Sequence, residues 1–496
     1  MRTRHAARLI AAGIVAALSS KLAVAQSAPP QSPDARIQAI EGQIDALQNQ
    51  LQQLKGELNQ TNQQLKVSQA QTKQAQENAQ KAQEEVKKAA DSDPLVTFPN
   101  NRPTIGNKTA SLAVGAQVQF DMGGYFQDSN SDDIAPAGAR ELNTGSNLRR
   151  ARVFLVGKYY DWTVNLTPDF GGSPDGAVSL YEGNINYSGF KPVTATIGFF
   201  KPWYSLQDSM SSNDFLFMER PSIVEIARNV AAGDARAVIG AKANGEQWFA
   251  SAYLTGGNWG DQGGGLLNEE QLGAVARLAG RPLYGEDYNL HIGFSGSYMF
   301  QPPQSNIDQP GDGLHNIQLR DRPELRIDMN RLIDTGLIDT DTADTWGFEL
   351  GGNWRNFLLQ GEYIRIDVDR RFADTLHFQG GYVEGSWVIT GEQRKYSASS
   401  AAFARPVPKH PFDPINGERG WGAWELAARY SVTDLDSDDV NGGNQQVYGL
   451  ALSWYPNALL RFILQGNYVD VDRESAAGTE TGQDFWDVAL RSQIAF

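Results

Sequence analysis

The sequence predicts an all-β transmembrane barrel of about 16 antiparallel strands, with an N-terminal α-helical coiled coil ahead of it. Three observations lead there. From residue 111 to the C-terminus, segments of about 8–14 residues alternate apolar with polar or small residues. Residues 36–90 instead carry a heptad repeat. The first 25 residues have the layout of a secretory leader.

In the leader, Arg2, Arg4 and Arg8 form the charged region and Leu9 to Leu18 the short apolar core. Ala23-Val24-Ala25 is a small-residue cleavage site, which predicts a signal peptide over 1–25 and a mature start at Gln26. Residues 26–35 are a Pro/Ser/Gln linker. The helix that follows places Ile37, Ile40, Ile44, Leu47, Leu51, Leu54 and Leu58 at alternating spacings of three and four, an a/d seam. The seam continues through Thr61, Leu65, Ser68, Thr72, Ala75, Ala79, Ala82, Val86 and Ala89, weakening as it goes. Isoleucine at both a and d in the first heptads favours three or four strands over two. Residues 91–110, with Pro94, Pro99 and Pro103, form the linker that ends the helix.

The barrel domain is expected over 111–496. Tyr448, Leu450, Leu452 and Trp454 fall on one face, and Val447, Gly449, Ala451 and Ser453 on the other. Leu460, Phe462, Leu464 and Tyr468 oppose Arg461, Ile463, Gln465 and Asn467. Trp486, Val488, Leu490, Ile494 and Phe496 oppose Asp487, Ala489, Arg491 and Gln493. Apolar-out and polar-in strands with aromatic ends are the mark of a membrane barrel. A raw count gives about seventeen candidate strands, one too many for an even barrel. With short turns periplasmic, parity removes Ile317 to Asp328 from the wall and places the long Gly391–Trp421 connection on the periplasmic side.

Composition narrows the chemistry. Cysteine is absent, which excludes disulfides, thiolate metal sites and a lipoprotein anchor. Five scattered histidines offer no metal cluster, and a net charge of −15 argues against nucleic acid as a partner. No apolar run is long enough for a transmembrane helix. Nucleophile-elbow, His-Glu-x-x-His and P-loop signatures are missing, so no enzyme and no cofactor is expected. The glycine-rich Gly256–Gly265 stretch reads as a flexible loop, and Asp132-Asp133 and Asp438-Asp439 as solvated or weakly cation-binding loop carboxylates.

Candidate pore-lining residues lie in three locally cationic segments and one central loop. Strand residues Arg149, Arg150, Arg152 and Lys158 precede any carboxylate, and alternation turns Arg150, Arg152 and Lys158 to the lumen. The segment removed from the wall holds Arg320, Arg322, Arg326 and Arg331. The long turn holds Arg394, Lys395, Arg405, Lys409 and Arg419. The loop after Phe200 carries Lys201, Arg220 and Arg228 against Asp208, Asp214, Glu219 and Glu225. One net negative charge makes it a shaping wall rather than an anion trap. Its Phe215, Phe217 and Met218 predict that it packs inside the barrel. Arginine suits oxyanions because its planar fork binds two oxygens at once.

The stretches Arg149–Gly172 (RRARVFLVGKYYDWTVNLTPDFGG), Gly198–Arg220 (GFFKPWYSLQDSMSSNDFLFMER), Trp421–Asp436 and Trp454–Arg473 resemble the phosphate-selective porin O and P family. The resemblance covers nearly the whole barrel and implies a homotrimer of sixteen-stranded barrels in the outer membrane of a Gram-negative bacterium. It also implies that loop 3, a second loop and a long periplasmic turn fold inward, with arginines lining the path of a small anion such as phosphate. Arg149-Arg150 matches the family's constriction arginines. Specialised phosphate members place a lysine in loop 3, where this chain reads Ser211-Ser212-Asn213-Asp214. Two other readings stand beside an anion channel: the same barrel serving another small solute, and an envelope tether whose periplasmic coiled coil contacts cell-wall material.

Overall fold

The computed structural model describes residues 33–92, 95–127, 141–172, 178–259, 269–305, 314–414, 417–474, 478 and 481–496. The predicted leader, the start of the first linker, Asp132-Asp133 and part of the glycine-rich Gly256–Gly265 stretch lie outside these residues. The chain divides into two compact units, Met1–Ala89 and Ala90–Phe496.

In the first unit, α1 runs over Pro33–Ser92 as one 60-residue helix. The a/d residues Ile37 to Leu58 are each 47–63% exposed. An apolar stripe on a long helix, flanked by Gln, Lys and Glu, thus lies uncovered along the single chain.

The second unit is a closed barrel of sixteen antiparallel strands. The first half comprises β1 (Ala110–Phe126), β2 (Gly145–Tyr159), β3 (Trp162–Asp169), β4 (Ser179–Tyr187), β5 (Val193–Phe200), β6 (Arg236–Asn244), β7 (Trp248–Asn258) and β8 (Leu272–Tyr284). The second half comprises β9 (Tyr288–Gln301), β10 (Thr342–Trp354), β11 (Phe357–Asp369), β12 (Leu376–Val388), β13 (Ala423–Ser437), β14 (Val440–Tyr455), β15 (Leu460–Asp472) and β16 (Gln483–Ala495). Each strand pairs with its sequence neighbours, and β16 closes on β1 with Ile494 opposite Val118. Closure leaves no unpaired edge, the condition for crossing hydrocarbon with strands. Two short strands, Leu95–Thr97 and Thr104–Gly106, extend the sheet beside the start of β1.

The outward faces follow the alternation read from the sequence. Tyr448, Leu450, Leu464, Trp486 and Val488 are exposed, while Val447, Ala451, Arg461, Gln465 and Asp487 are buried. Outward aromatics run in two rows around the wall, one near the rim of the chain ends and one further along the strands. Trp424, Trp454 and Phe462 stack in a row with centroids 5.6 Å apart, and Tyr430, Tyr448, Tyr468 and Trp486 follow one another at 5.0, 6.3 and 5.1 Å.

At the rim that holds the barrel's chain ends, connections are tight except for 389–422, as parity expects. At the opposite rim two long connections, 201–235 and 302–341, enter the lumen. Leu314–Asp321 pairs with Ile333–Asp339 in a small separate sheet, so the segment that parity removed is indeed outside the wall. The polar-in rule needs a correction. Inside β8 to β15, Val275, Ile364, Ile366, Phe378, Leu435 and Val447 are apolar and buried. The reason is α3 (Ser222–Ala231), whose Ile223, Val224, Ile226 and Ala227 require apolar cover within the barrel. Glycine makes room at two contacts. A Cβ at Gly380 would fall 2.9 Å from Ile223, and one at Gly449 would fall 2.8 Å from the Phe217 ring. Gly449→Leu should therefore dislodge Phe217, lowering the temperature at which the folded barrel converts on a heat-modifiable gel and raising single-channel conductance.

Candidate functional site: the arginine-lined lumen

The segment between β5 and β6, residues 201–235, is the third connection at the rim opposite the chain ends, hereafter loop 3, and it turns inward at Pro202. Tyr204 bonds Thr345 at 2.7 Å, and the backbone N–H groups of Leu206 and Gln207, at the start of the short helix α2 (Leu206–Ser209), donate to Glu362 at 3.0 and 2.7 Å. The chain then runs through Asn213 to Arg220 with Phe215, Leu216, Phe217 and Met218 all buried. Its carbonyls meet guanidinium groups from the barrel wall. Arg461 of β15 donates to Phe215 at 2.7 Å and to Asn213 and Leu216 at 3.3 Å. Arg491 of β16 donates to the Met218 carbonyl, and Arg429 of β13 to that of Glu219 at 3.0 Å. Arg394, from the long turn, donates to the Asp214 carbonyl at 2.7 Å. Arg429 also covers the Phe217 ring, 4.2 Å from its centroid.

The Glu219 side chain is the meeting point of the predicted cations. Arg149 clasps it with two bonds of 2.7 and 3.0 Å, and Arg491 reaches it at 2.9 Å. Arg150 and Arg326 lie 3.5 and 3.7 Å away. Burial pushes the Glu219 carboxyl up, but Arg149, Arg150, Arg491 and Arg326 outweigh it and hold the group well below the usual carboxylate range. Alternation alone turns Arg150, but not Arg149, to the lumen. The pairing of Gln119 with Arg150 and of Phe120 with Leu148 leaves Arg149 as an extra residue, and this bulge aims both arginines inward. A second bulge in β4 leaves Tyr181 between paired Leu180 and Glu182, and its ring meets Arg152 at 3.4 Å.

The remaining predicted residues separate into paired and unpaired groups. Arg152 bonds Asp169 at 2.7 Å. Lys201 lies 3.8 Å from Asp208 and donates to its carbonyl. Arg220 sits 3.5 Å from Asp208 and 3.4 Å from Glu225, and Arg326 pairs with Glu225 at 2.9 Å. Arg394 is buried against Glu425 at 2.6 Å. Arg320 is 41% exposed and only 3.8 Å from Asp334. Arg322, buried in the second loop, meets the Met329 sulfur at 3.5 Å and no carboxylate among the described residues. Lys158 and Lys395 are exposed toward the chain-end rim, also without a carboxylate partner among the described residues. The sequence reading overlooked Arg429, Arg461 and Arg491, which stand at inward positions of apolar-outward strands. It also overlooked Lys242 and Arg281, which among the described residues bond only backbone and amide oxygens and lie over Trp203 and Tyr284 at 4.2 Å each.

Fold and lumen together define a membrane-spanning β-barrel channel whose interior is crossed by its own loops. Residues 114–496 match the family described as Phosphate-selective porin O and P, and the chain belongs to that family of outer-membrane porins. It is 22% identical to Porin O of Pseudomonas aeruginosa over 418 residues, 79% of this chain and 89% of that one. It is 26% identical over 415 residues to an uncharacterized protein of Caulobacter vibrioides, covering 79% of this chain and 77% of that one. Among solved structures, the anion-selective porin from Comamonas acidovorans aligns with a TM-score of 0.46 at 11% identity, over 78% of this chain and 100% of that one. The outer-membrane channel DcaP of Acinetobacter baumannii aligns at 0.44 and 12% identity, over 79% of this chain and 99% of that one.

Glu219→Gln removes the carboxylate that four guanidiniums share. It should destabilise the barrel by about 3 kcal/mol, read from heat-modifiable gel mobility, and shift the reversal potential toward anions. Arg461→Met strips donors from three loop carbonyls and should raise conductance while leaving the strand wall, followed by circular dichroism, intact.

Proposed function

We propose that this porin passes small anions passively across the outer membrane, phosphate and related oxyanions among them, with loop 3 narrowing the path. The observation that carries this reading is the gathering of Arg149, Arg150, Arg326 and Arg491 around the single carboxylate of Glu219. Arg491 also pairs with Asp121 and Arg326 with Glu225, so the four guanidiniums face three carboxylates and Arg150, bonded to Gln119, is the least compensated. A positive surplus inside a low-dielectric wall lowers the barrier for an anion. Exposed Arg320, 3.8 Å from Asp334, and Arg322, without a carboxylate partner among the described residues, extend the field at one mouth, and Lys158 and Lys395 at the other. Arg152, Arg220 and Arg394 serve the same path from behind their carboxylates. The family's own description as phosphate-selective supports the reading. Because most lumen arginines are already hydrogen-bonded, selection here is electrostatic and weak rather than a tight phosphate grip.

The assembly in this reading is a homotrimer. Strands β3 to β6 have only 8, 9, 8 and 9 residues, against 11 to 17 for the rest. A tilted strand needs roughly 9–11 residues to cross the hydrocarbon layer, so this low wall is the face best covered by another copy. The apolar stripe on α1 gives the trimer a second contact as a periplasmic coiled coil, where it could also meet cell-wall material.

Reversal potentials in planar bilayers under a potassium phosphate or chloride gradient test the channel reading. Anion preference is expected, reduced severalfold in Arg150→Ala/Arg326→Ala, and cation preference in the unmodified protein overturns it. Burial pushes the Lys201 ammonium down to about 8 against the pull of Asp208. Its positive charge is present below that pH and lost above it, so anion preference should fall between pH 7 and 9. Lys201→Met should flatten that dependence. Deleting residues 33–92 should leave trimers that dissociate at lower temperature on gels. If trimer stability and envelope integrity are both unchanged, neither the coiled-coil contact nor the tether role survives.

A further inference from the structure

The wall from β3 to β5 has a chemistry unlike the rest of the lumen. Inward positions there carry Asn165, Glu182, Asn184, Asn186 and Thr196, joined in one chain of hydrogen bonds. Asn184 donates to Glu182 Oε1 at 2.6 Å, Asn186 to Asn184 at 2.6 Å, and Thr196 to Asn186 at 2.7 Å. Asn165 bridges Asn184 and Glu182 at 3.1 and 3.4 Å. None of these five side chains bonds loop 3, the second loop or the long turn among the described residues. On β10 to β16, in contrast, inward Glu362, Arg429, Arg461, Gln465 and Arg491 are spent on holding the loop.

The chain of amides is not saturated. Asn184 and Asn186 each keep a second N–H, Asn186 keeps a second carbonyl lone pair, the Asn165 carbonyl accepts from no described residue, and Glu182 Oε2 makes no hydrogen bond among the described residues. Glu182 also borders a cavity of about 380 Å³ between loop 3 and the long turn, together with Tyr181, Lys201, Trp203, Ser209 and Ser400. The site therefore offers alternating donors and acceptors beside aromatic rings. Chloride brings acceptor character only, and a phosphate anion mostly acceptors with a negative charge, and either would face the Glu182 carboxylate and amide carbonyls. A hydroxyl both donates and accepts, and the C–H faces of a polyol suit Tyr181 and Trp203.

We propose that this face is a binding lane for small neutral polyhydroxylated solutes of monosaccharide size, with Glu182 and Asn184 as its central contacts. The inference rests on the chain being a channel but not on its anion preference. The test uses the full-length porin in planar bilayers with D-glucose added to one side, and a polyethylene glycol of similar size as the non-binding control. Glucose should produce saturable current noise and block that the polymer does not. Asn184→Ala/Asn186→Ala should weaken the glucose affinity about tenfold while the salt reversal potential stays where it was. Thr196→Val, at the far end of the chain, gives a second, milder variant should the double substitution fail to assemble, with an expected severalfold loss. Glucose effects that match the polymer's, or glucose block unchanged in every assembled variant, overturn the proposal. Cation selectivity in the unmodified protein would overturn the anion reading and leave this one standing.

Discussion

A polypeptide segment placed inside a membrane barrel must find partners for its carbonyl groups, and the rest of this structure follows from how it does so. Buried carbonyls without donors cost about 1–3 kcal/mol each. Loop 3 runs through its tightest stretch, Asn213 to Glu219, with no helix or sheet of its own. Arg394, Arg429, Arg461 and Arg491 supply the missing donors from different directions. A guanidinium is suited to this because five N–H groups in one plane can serve several acceptors at once. The same groups are charged, and a charge in this interior must itself be compensated. Glu425, Glu384 and Asp121 do that for Arg394, Arg429 and Arg491 at 2.6–2.8 Å. Arg461 has no carboxylate of its own and relies on three loop carbonyls and Ser453.

Arginine inside this porin therefore does two jobs that pull against each other. A guanidinium fixed to a carboxylate and a carbonyl holds the loop but has few free N–H groups for a passing ion. What reaches the ion is the field left after pairing. Around Glu219, four guanidiniums meet three carboxylates, Glu219, Asp121 and Glu225, which leaves a small surplus at one level of the lumen. In the proposed anion channel, that arrangement would favour rapid passage over retention, because an ion held by several direct bonds must break them to leave. The absence of lysine from Ser211-Ser212-Asn213-Asp214 points the same way.

The sixteen-stranded wall was legible in the sequence because a barrel imposes a period-2 pattern on every strand and an even count on the whole. Parity even separated Ile317–Asp328 from the wall, although that segment alternates like a strand, and the observed strand Leu314–Asp321 pairs in a sheet of its own. Arg149 was harder. Its neighbour Arg150 occupies the inward parity position, and only the bulge opposite Gln119 and Phe120 turns both to the lumen. A bulge changes the phase of the alternation without changing composition, so a pattern reading passes over it. Arg429, Arg461 and Arg491 were visible as inward polar residues, but their role depends on where loop 3 lies, which is a tertiary fact. The apolar inward positions on β8 to β15 were misread for the same reason: polar-in describes a water-filled lumen, and here α3 replaces the water.

That replacement makes the lumen asymmetric. Apolar α3 and the carbonyl-bearing stretch of loop 3 lie against β8 to β16, where inward glycines such as Gly380 and Gly449 admit them. The inward side chains of β3 to β5 remain polar and bond mainly to one another. A solute needs water-like partners along its path, and packed apolar residues supply none. In the proposed reading, permeation runs along the strands that the loops leave uncovered. The arginine cluster at Glu219 touches that lane from β2 through Arg149 and Arg150, while the amide chain continues it across β3 to β5. Charge and hydrogen bonding are consequently divided between adjoining strands of one lane. If both proposals hold, substitutions on β2 should change the sign of the permeant ion and substitutions on β3 to β5 the preferred neutral solute, with little need for either to disturb the other.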